Sequence, residues 1–130
     1  MNFREIRPVT GQWISSGAPM TDPLLEQDPL LAEIVRRLVR AFRPERIYLF
    51  GSRARGEGGA DSDYDLMVVV RDEMPTPCVR RGRKAYEVLR GTGVAADVLV
   101  WTVESFESRR HIAASLPATI DREGRLLYAA

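Results

Sequence analysis

The feature that most constrains the fold is an uninterrupted apolar run at residues 66–70, which directly follows two acidic residues, Asp63 and Asp65. A short run rich in β-branched residues is typical of an interior strand that is buried on both faces of a sheet. Side chains alternate between faces along a strand, so Asp63 and Asp65 point the same way and Tyr64 points the other way. The sequence therefore predicts a covered sheet in which two carboxylates converge at the start of a buried strand.

Two carboxylates at the start of a buried strand are electrostatically costly. Like charges that leave water must be compensated by hydrogen bonds or by a cation. Carboxylate oxygens suit Mg²⁺ or Mn²⁺, and no His or Cys stands near Asp63 and Asp65 to indicate zinc. We therefore expect this pair to bind a divalent cation. The simpler alternative is that both are turn residues, because Asp is common before strands.

A second short apolar segment, residues 46–50, ends at Gly51 and Ser52. Glycine allows a phosphate to approach the backbone closely, and the next residues can open a helix whose free N–H groups favour an anion. Arg53 and Arg55 add positive charge at the same place. These residues predict a phosphate-binding turn before the acid pair. The alternatives are that Ser52 caps the helix, which is compatible with phosphate contact, and that both arginines are solvated surface charges.

The rest of the chain alternates helical and extended patterns. Residues 1–27 show no sustained period and are interpreted as an N-terminal arm, and residues 28–130 are interpreted as one domain. In that domain Asp28 is a predicted N-cap, Pro29 fits the first helical position, and an apolar stripe continues to Phe42. Further helices are predicted at 78–89, from about 103 to 111 and from 117 to 123, with strands at 97–101 and 125–128, the last at a sheet edge.

Composition excludes several classes of protein. The net charge of +1 gives no indication of a broad basic surface, so the composition does not favour a nucleic-acid partner. A single cysteine, Cys78, precludes an internal disulfide and fits a reducing compartment. No apolar run approaches the roughly 20 residues that a membrane-spanning helix needs. We therefore expect a cytoplasmic protein with no membrane segment.

A family resemblance joins these observations. Gly51-Ser52, ten intervening residues and Asp63-x-Asp65 resemble the signature of the polymerase-β-like nucleotidyltransferase superfamily. The fuller text, GSRARG followed by SDYDLMVVV, is similar to its minimal nucleotidyltransferase branch, whose small catalytic domains are often encoded beside a HEPN-domain protein. The resemblance spans roughly the last two thirds of the chain. It implies an α/β (α+β) fold, with a small mixed sheet flanked by helices.

The resemblance also implies a set of site residues. In the family a third carboxylate comes from a later strand, and the matching residue here is Asp97. The implied catalytic and metal-binding residues are Asp63, Asp65 and Asp97, and the implied nucleotide-binding residues are Gly51, Ser52, Arg53 and Arg55. Two Mg²⁺ ions, with Mn²⁺ as an alternative, would support transfer of a nucleoside monophosphate from a nucleoside triphosphate, with ATP as the usual donor, to a hydroxyl acceptor.

The acceptor implied by the minimal branch is a tyrosine of a partner HEPN-domain toxin, which the enzyme would neutralise as its antitoxin. Two alternatives stay open at this point. One is a toxin-binding antitoxin module that needs no turnover, and the other is a small-molecule nucleotidyltransferase of the aminoglycoside type. The sequence leaves open whether the chain forms homo-oligomers or hetero-oligomers.

Overall fold

The computed structural model describes residues 22–57, 63–71 and 78–130, with the backbone alone described at 78–81. These residues form six helices and a mixed sheet of four strands. In chain order the elements are α1 (Leu24–Gln27), α2 (Pro29–Phe42), β1 (Arg46–Phe50), α3 (Gly51–Ala54), β2 (Tyr64–Val70), α4 (Cys78–Val88), β3 (Ala96–Thr102), α5 (Val103–Arg109), α6 (Leu116–Glu123) and β4 (Arg125–Ala129). The predicted α+β architecture is confirmed.

Helix α2 forms where its capping signals predict. The Asp28 side chain accepts a hydrogen bond of 3.1 Å from the backbone N–H of Leu31, and Pro29 occupies the first turn. The helix ends at Phe42 because Arg43 adopts a left-handed conformation (φ 47°) and Pro44 follows. The predicted apolar stripe is buried, except that Val39 is half-buried and Leu30 is 44% exposed. Sequence periodicity therefore located both the helix and its packed face.

The sheet has the strand order β3-β2-β1-β4. Strand β1 is antiparallel to both β2 and β4, whereas β2 and β3 run parallel. We call the end of the sheet where Phe50 pairs with Asp65 the site end, because β1 ends and β2 begins there. The opposite end of these strands, where Arg46 pairs with Val69, is the far end.

Two apolar clusters cover the sheet, one on each face. Along β2 the side chains of Tyr64, Leu66, Val68 and Val70 pack with α2 and α4, on what we call the α2 face. Met67 and Val69 pack against Phe106 of α5 and Ile120 of α6, on the α5 face. This alternation is the period of two expected for a strand. It places position 65, between Tyr64 and Leu66, on the α5 face.

The remaining elements follow their predicted signals closely. Helix α4 is followed by Gly91 and Gly93, both with positive φ, and α5 and α6 are capped by the side chains of Thr102 and Ser115. Among the described strands, β4 stands at an edge of the sheet, as predicted. Within the described part of the chain, no helix is both long and apolar enough to cross a bilayer.

The predicted arm falls only partly within the described residues. Residues 1–21 lie outside them. Residues 22–27 contact the domain: Leu25 is buried in the cluster on the α2 face, and Asp22 forms an ion pair of 2.6 Å with Arg125 at the start of β4. The division into an arm and a domain at residue 27 stays a prediction.

Candidate active site

Two of the three predicted acids lie side by side on neighbouring strands. Asp65 on β2 is the register partner of Asp97 on β3, and the two strands are parallel. Side chains of register partners project from the same face of a sheet, so both carboxyls lie on the α5 face. Asp63 stands immediately before β2 and is exposed. The structure thus gathers all three acids at the site end, with Asp65 in the middle.

The electrostatics of Asp65 reflect this neighbourhood. Burial raises the pKa of the Asp65 carboxyl, and the negative charges of Asp97 and then Asp63 raise it further. Among the described residues, no three His, Cys, Asp or Glu side chains are already arranged as a metal-holding group. The donor chemistry nevertheless fits a divalent cation, since Mg²⁺ and Mn²⁺ take carboxylate oxygens and a cation would relieve the repulsion at Asp65.

Residues 51–55 are the predicted phosphate-binding turn, which we call the phosphate turn. Gly51 is the position in this turn where the backbone angle and the neighbouring atoms leave no room for a side chain. It follows β1 with φ +74°, a conformation that side chains disfavour, and a Cβ built on it would collide with Oδ2 of Asp65. Ser52 is half-buried in the same short helix, α3, whose N-cap residue, Phe50, makes no side-chain capping bond. The glycine therefore brings the turn into direct contact with the central acid.

Arg53 lies on the other side of β2 from the acids. Its guanidinium stacks over the ring of Tyr64 at 4.1 Å from the centroid, and Tyr64 points to the α2 face. The Tyr64 hydroxyl donates a 2.7 Å hydrogen bond to Asp28, the residue that caps α2. This chain of contacts fastens the phosphate turn to β2 and α2. No sequence pattern could reveal it, because residues 28 and 64 are far apart in the chain and only the fold brings them together.

Arg55 is engaged in ion pairs at the surface. Its guanidinium lies 3.1 Å from Glu57 and 3.7 Å from Glu123, and all three side chains are largely exposed. Glu123 ends α6, so the pair links the phosphate turn to the helix that precedes β4. Exposed pairs of this kind hold weakly, typically by about 0–1 kcal/mol.

A nucleotidyltransferase domain family model matches residues 30–122, which is more than half of the chain. The chain belongs to the nucleotidyltransferase domain family. The match begins within α2 and ends within α6, so it includes β1, the phosphate turn, β2 and β3.

Two solved structures share the fold of this nucleotidyltransferase domain. One is a proposed nucleotidyltransferase from Sulfolobus solfataricus, at 28% identity and a TM-score of 0.50, with 62% of this chain and 70% of that chain covered. The other is a toxin-antitoxin structure with AMP-PNP, at 22% identity and a TM-score of 0.50, with 75% of this chain and 73% of that chain covered. No curated protein matches the chain. The family model confirms the predicted nucleotidyltransferase domain, whereas the minimal branch stays a prediction.

Proposed function

We propose that this chain is a metal-dependent nucleotidyltransferase that moves a nucleoside monophosphate, AMP from ATP, to a hydroxyl group of a partner protein. The observation that carries the proposal is the register pairing of Asp65 with Asp97 beside Gly51. That arrangement combines clustered carboxylates with a glycine turn that lies directly against the central one. Family membership supports nucleotidyl transfer in general.

In this proposal Asp63, Asp65 and Asp97 hold the divalent ions. When bound, the ions would neutralise the triphosphate and lower the pKa of the acceptor hydroxyl. Asp63 is exposed and immediately precedes β2, so its side chain can reorient to join the other two. Burial, and then the charges of Asp97 and Asp63, raise the pKa of Asp65, and a bound cation would favour its ionised form.

The backbone around Gly51 and the hydroxyl of Ser52 would bind the β- and γ-phosphates. The acceptor oxygen forms a bond to the α-phosphorus as the bond from that phosphorus to the bridging oxygen breaks, and pyrophosphate leaves. The proton of the acceptor hydroxyl passes to Asp97 or to water. Catalysis would come from positioning and charge neutralisation, so no covalent nucleophile is needed.

In this proposal Arg53 and Arg55 support phosphate binding in two different ways, the first indirectly and the second directly. Arg53 acts by holding the turn in place, because its guanidinium is stacked on Tyr64. Arg55 can exchange its exposed partners, Glu57 and Glu123, for a phosphate oxygen, because such pairs are weak.

We further propose that the acceptor is a tyrosine of a HEPN-domain toxin and that the chain acts as its cytoplasmic antitoxin. Two observations support a protein partner: the resemblance of GSRARG and SDYDLMVVV to the minimal branch, and the shared fold with a toxin-antitoxin structure.

The deciding experiment mixes the chain with labelled ATP, Mg²⁺ and the protein encoded by the adjacent gene. We expect label on a tyrosine of that protein, and loss of label when Asp63→Ala and Asp65→Ala are combined. Asp121→Asn is the matched control, because Asp121 belongs to the ion pairs of the far end and not to the three acids of the site. It pairs with Arg110, which also pairs with Glu107, the partner of Arg46. Toxin neutralisation that survives the double variant would instead show a binding antitoxin without turnover, and label on an aminoglycoside alone would show a small-molecule enzyme.

A further inference from the structure

The four tyrosines of the chain, all within its described part, differ sharply in exposure. Three are buried, at 7% exposure or less, and these are Tyr48, Tyr64 and Tyr128. Tyr86, on α4, is 72% exposed. The hydroxyl of a buried tyrosine is shielded from a reagent in solution, so Tyr86 is the tyrosine of this chain whose hydroxyl such a reagent can reach.

Tyr86 lies close to the site end. Strand β2 ends at the far end and β3 begins at the site end, so α4, which lies between them in the chain, runs back towards the site end. Tyr86 is in the last turn of this helix, and it lines a cavity of about 360 Å³ that Asp97 also lines. Gly82, one turn earlier, lines the same cavity, and a Cβ there would meet no atom within 4 Å. Tyr86 and Asp97 therefore border one space.

The strand order fixes the side from which an acceptor approaches in the proposed reaction. Strand β2 lies between β1 and β3, so Asp65 separates the phosphate turn, which follows β1, from Asp97 on β3. The attacking and leaving oxygens of a phosphoryl-type transfer lie roughly in line, on opposite sides of the phosphorus. With the β- and γ-phosphates at the phosphate turn, pyrophosphate leaves on the β1 side and the acceptor hydroxyl approaches on the β3 side. The cavity that Tyr86 lines is on that side.

We propose that Tyr86 is itself an acceptor, so that the chain transfers AMP from ATP to its own tyrosine. The proposal rests on the proposed function and adds a modification site to it. The Tyr86 oxygen forms a bond to the α-phosphorus as the bond from that phosphorus to the bridging oxygen breaks, pyrophosphate leaves, and the hydroxyl proton passes to Asp97. The product is a phosphodiester between Tyr86 and AMP. Its negative charge would gain a charge-assisted hydrogen bond from Arg90, which also lines the cavity.

The test incubates the full chain, without any partner protein, with Mg²⁺ and ATP labelled on the α-phosphate. Trypsin then releases residues 85–90, a peptide in which Tyr86 carries the only side-chain hydroxyl. We expect the label and the added mass of one AMP on this peptide. Label that is found only on other peptides, or label that comes from the γ-phosphate of ATP instead, would overturn the proposal.

Matched variants identify the groups that take part. Tyr86→Phe keeps the ring and removes the acceptor oxygen, so labelling should fall to the level seen without Mg²⁺, whereas Tyr128→Phe removes a buried hydroxyl and should leave labelling unchanged. Asp97→Asn should abolish labelling, and Asp121→Asn at the far end should not. Thermal unfolding of each variant checks its fold. Labelling of a folded Tyr86→Phe chain at the native level would overturn the proposal.

A mixture of two defective variants tests whether the acids and the acceptor act within one chain. Tyr86→Phe keeps the acids and lacks the acceptor, and Asp97→Asn keeps the acceptor and lacks an acid. Because Tyr86 and Asp97 border the same cavity, we expect the mixture to stay unlabelled and the labelled fraction of the native chain to be independent of its concentration. Label on the Asp97→Asn chain would show transfer between copies and overturn transfer within one chain.

The protein encoded by the adjacent gene separates failure of this proposal from failure of the proposed function. Label on that protein but none on Tyr86 would contradict self-modification alone. Label on Tyr86 but none on that protein would support self-modification and contradict the proposed partner acceptor. Label on neither protein would contradict nucleotidyl transfer by this chain, and self-modification with it.

Discussion

Two carboxylates on the α5 face stand in opposite electrostatic surroundings. At the site end, Asp65 is flanked by Asp97 and Asp63, and its pKa is raised by burial and by both of these charges. At the far end, burial would raise the pKa of Glu107, but hydrogen bonds from Arg46 and Arg110 outweigh it and hold the pKa below the ordinary value. The charges at the far end are therefore neutralised by one another, whereas the surroundings of Asp65 at the site end have an excess of negative charge.

The far end has the features of a structural support. Arg46 bonds to Glu107 at 2.5 Å and to the Tyr48 hydroxyl at 2.9 Å, and its guanidinium also lies over the ring of Phe106. Tyr48 and Phe106 are stacked with centroids 5.4 Å apart. Arg46, Glu107, Arg110 and Asp121 form a continuous set of ion pairs there. This difference indicates that the acids at the site end are retained although they lower the stability of the fold, which is typical of functional sites.

The largest expected effect is at the site end, where Gly51→Ala tests the contact with Asp65. We expect a loss of about 3 kcal/mol in the free energy of unfolding, from the left-handed φ and from the collision of Cβ with the carboxyl. Urea unfolding measures it. Gly56→Ala is the matched control, since Gly56 has φ +75° but open space, and it should cost about 1 kcal/mol.

A double variant sharpens this result. If the collision with Asp65 is the main cost, Gly51→Ala should be partly rescued in an Asp65→Ala background, because the carboxyl is then absent. Equal losses in Gly51→Ala and Gly56→Ala would show instead that the φ angle alone explains the glycine, and the close approach of the turn to Asp65 would lose its significance.

At the far end, Glu107→Gln should reduce the free energy of unfolding by about 1–2 kcal/mol at neutral pH, because Arg46 loses its carboxylate. The pKa of Glu107 is lowered from 4.5, so its stabilisation is complete above that value and is lost as the pH falls through the lowered folded pKa. Urea unfolding from neutral to acidic pH should show the native and variant curves merging. Glu87→Gln, at an exposed position of α4, should change little.

A smaller effect is expected where Tyr64 supports the phosphate turn. Tyr64→Phe keeps the ring under Arg53 but removes the donor to Asp28, and we expect a loss of about 1 kcal/mol in unfolding free energy. Tyr64→Leu, which also removes the ring, should cost more and should lower nucleotidyl transfer, because the turn is no longer held by Arg53. Transfer unaffected by Tyr64→Leu would contradict a positioning role for Arg53.

The smallest effect has the opposite sign. At neutral pH, Asp65→Asn should raise the free energy of unfolding by less than about 1 kcal/mol, because it removes a partly buried charge that Asp97 and Asp63 repel. The melting temperature should rise slightly. The folded pKa of Asp65 is raised, so its penalty is absent below the ordinary value of 3.8, grows as the pH rises through the raised pKa, and is complete above it. Mg²⁺ should stabilise the native chain more than this variant. A variant less stable than the native chain at neutral pH would remove the contrast between the two ends.

Much of the fold could be predicted because it is encoded locally. The cap at Asp28, Pro29 and the apolar stripe specify α2, and the apolar run after Asp65 specifies β2. Pattern alone supplied a weaker case for Asp97, whose role came from resemblance, since its strand is separated from β2 by a helix. A cavity of about 360 Å³ between α4 and β3, lined by Tyr86 and Asp97, had no sequence signal, because these two elements come together only after the chain has folded.

The sequence by itself predicted that Asp63 and Asp65 point the same way, and it determined that a glycine turn precedes them, because strand periodicity and glycine conformation are local properties. The tertiary structure alone decided that Asp97 is the register partner of Asp65, that Gly51 meets its carboxyl, and that Arg53 turns away to Tyr64. Strand pairing and packing join residues that are distant in the chain, so they depend on which strands become neighbours in the folded sheet.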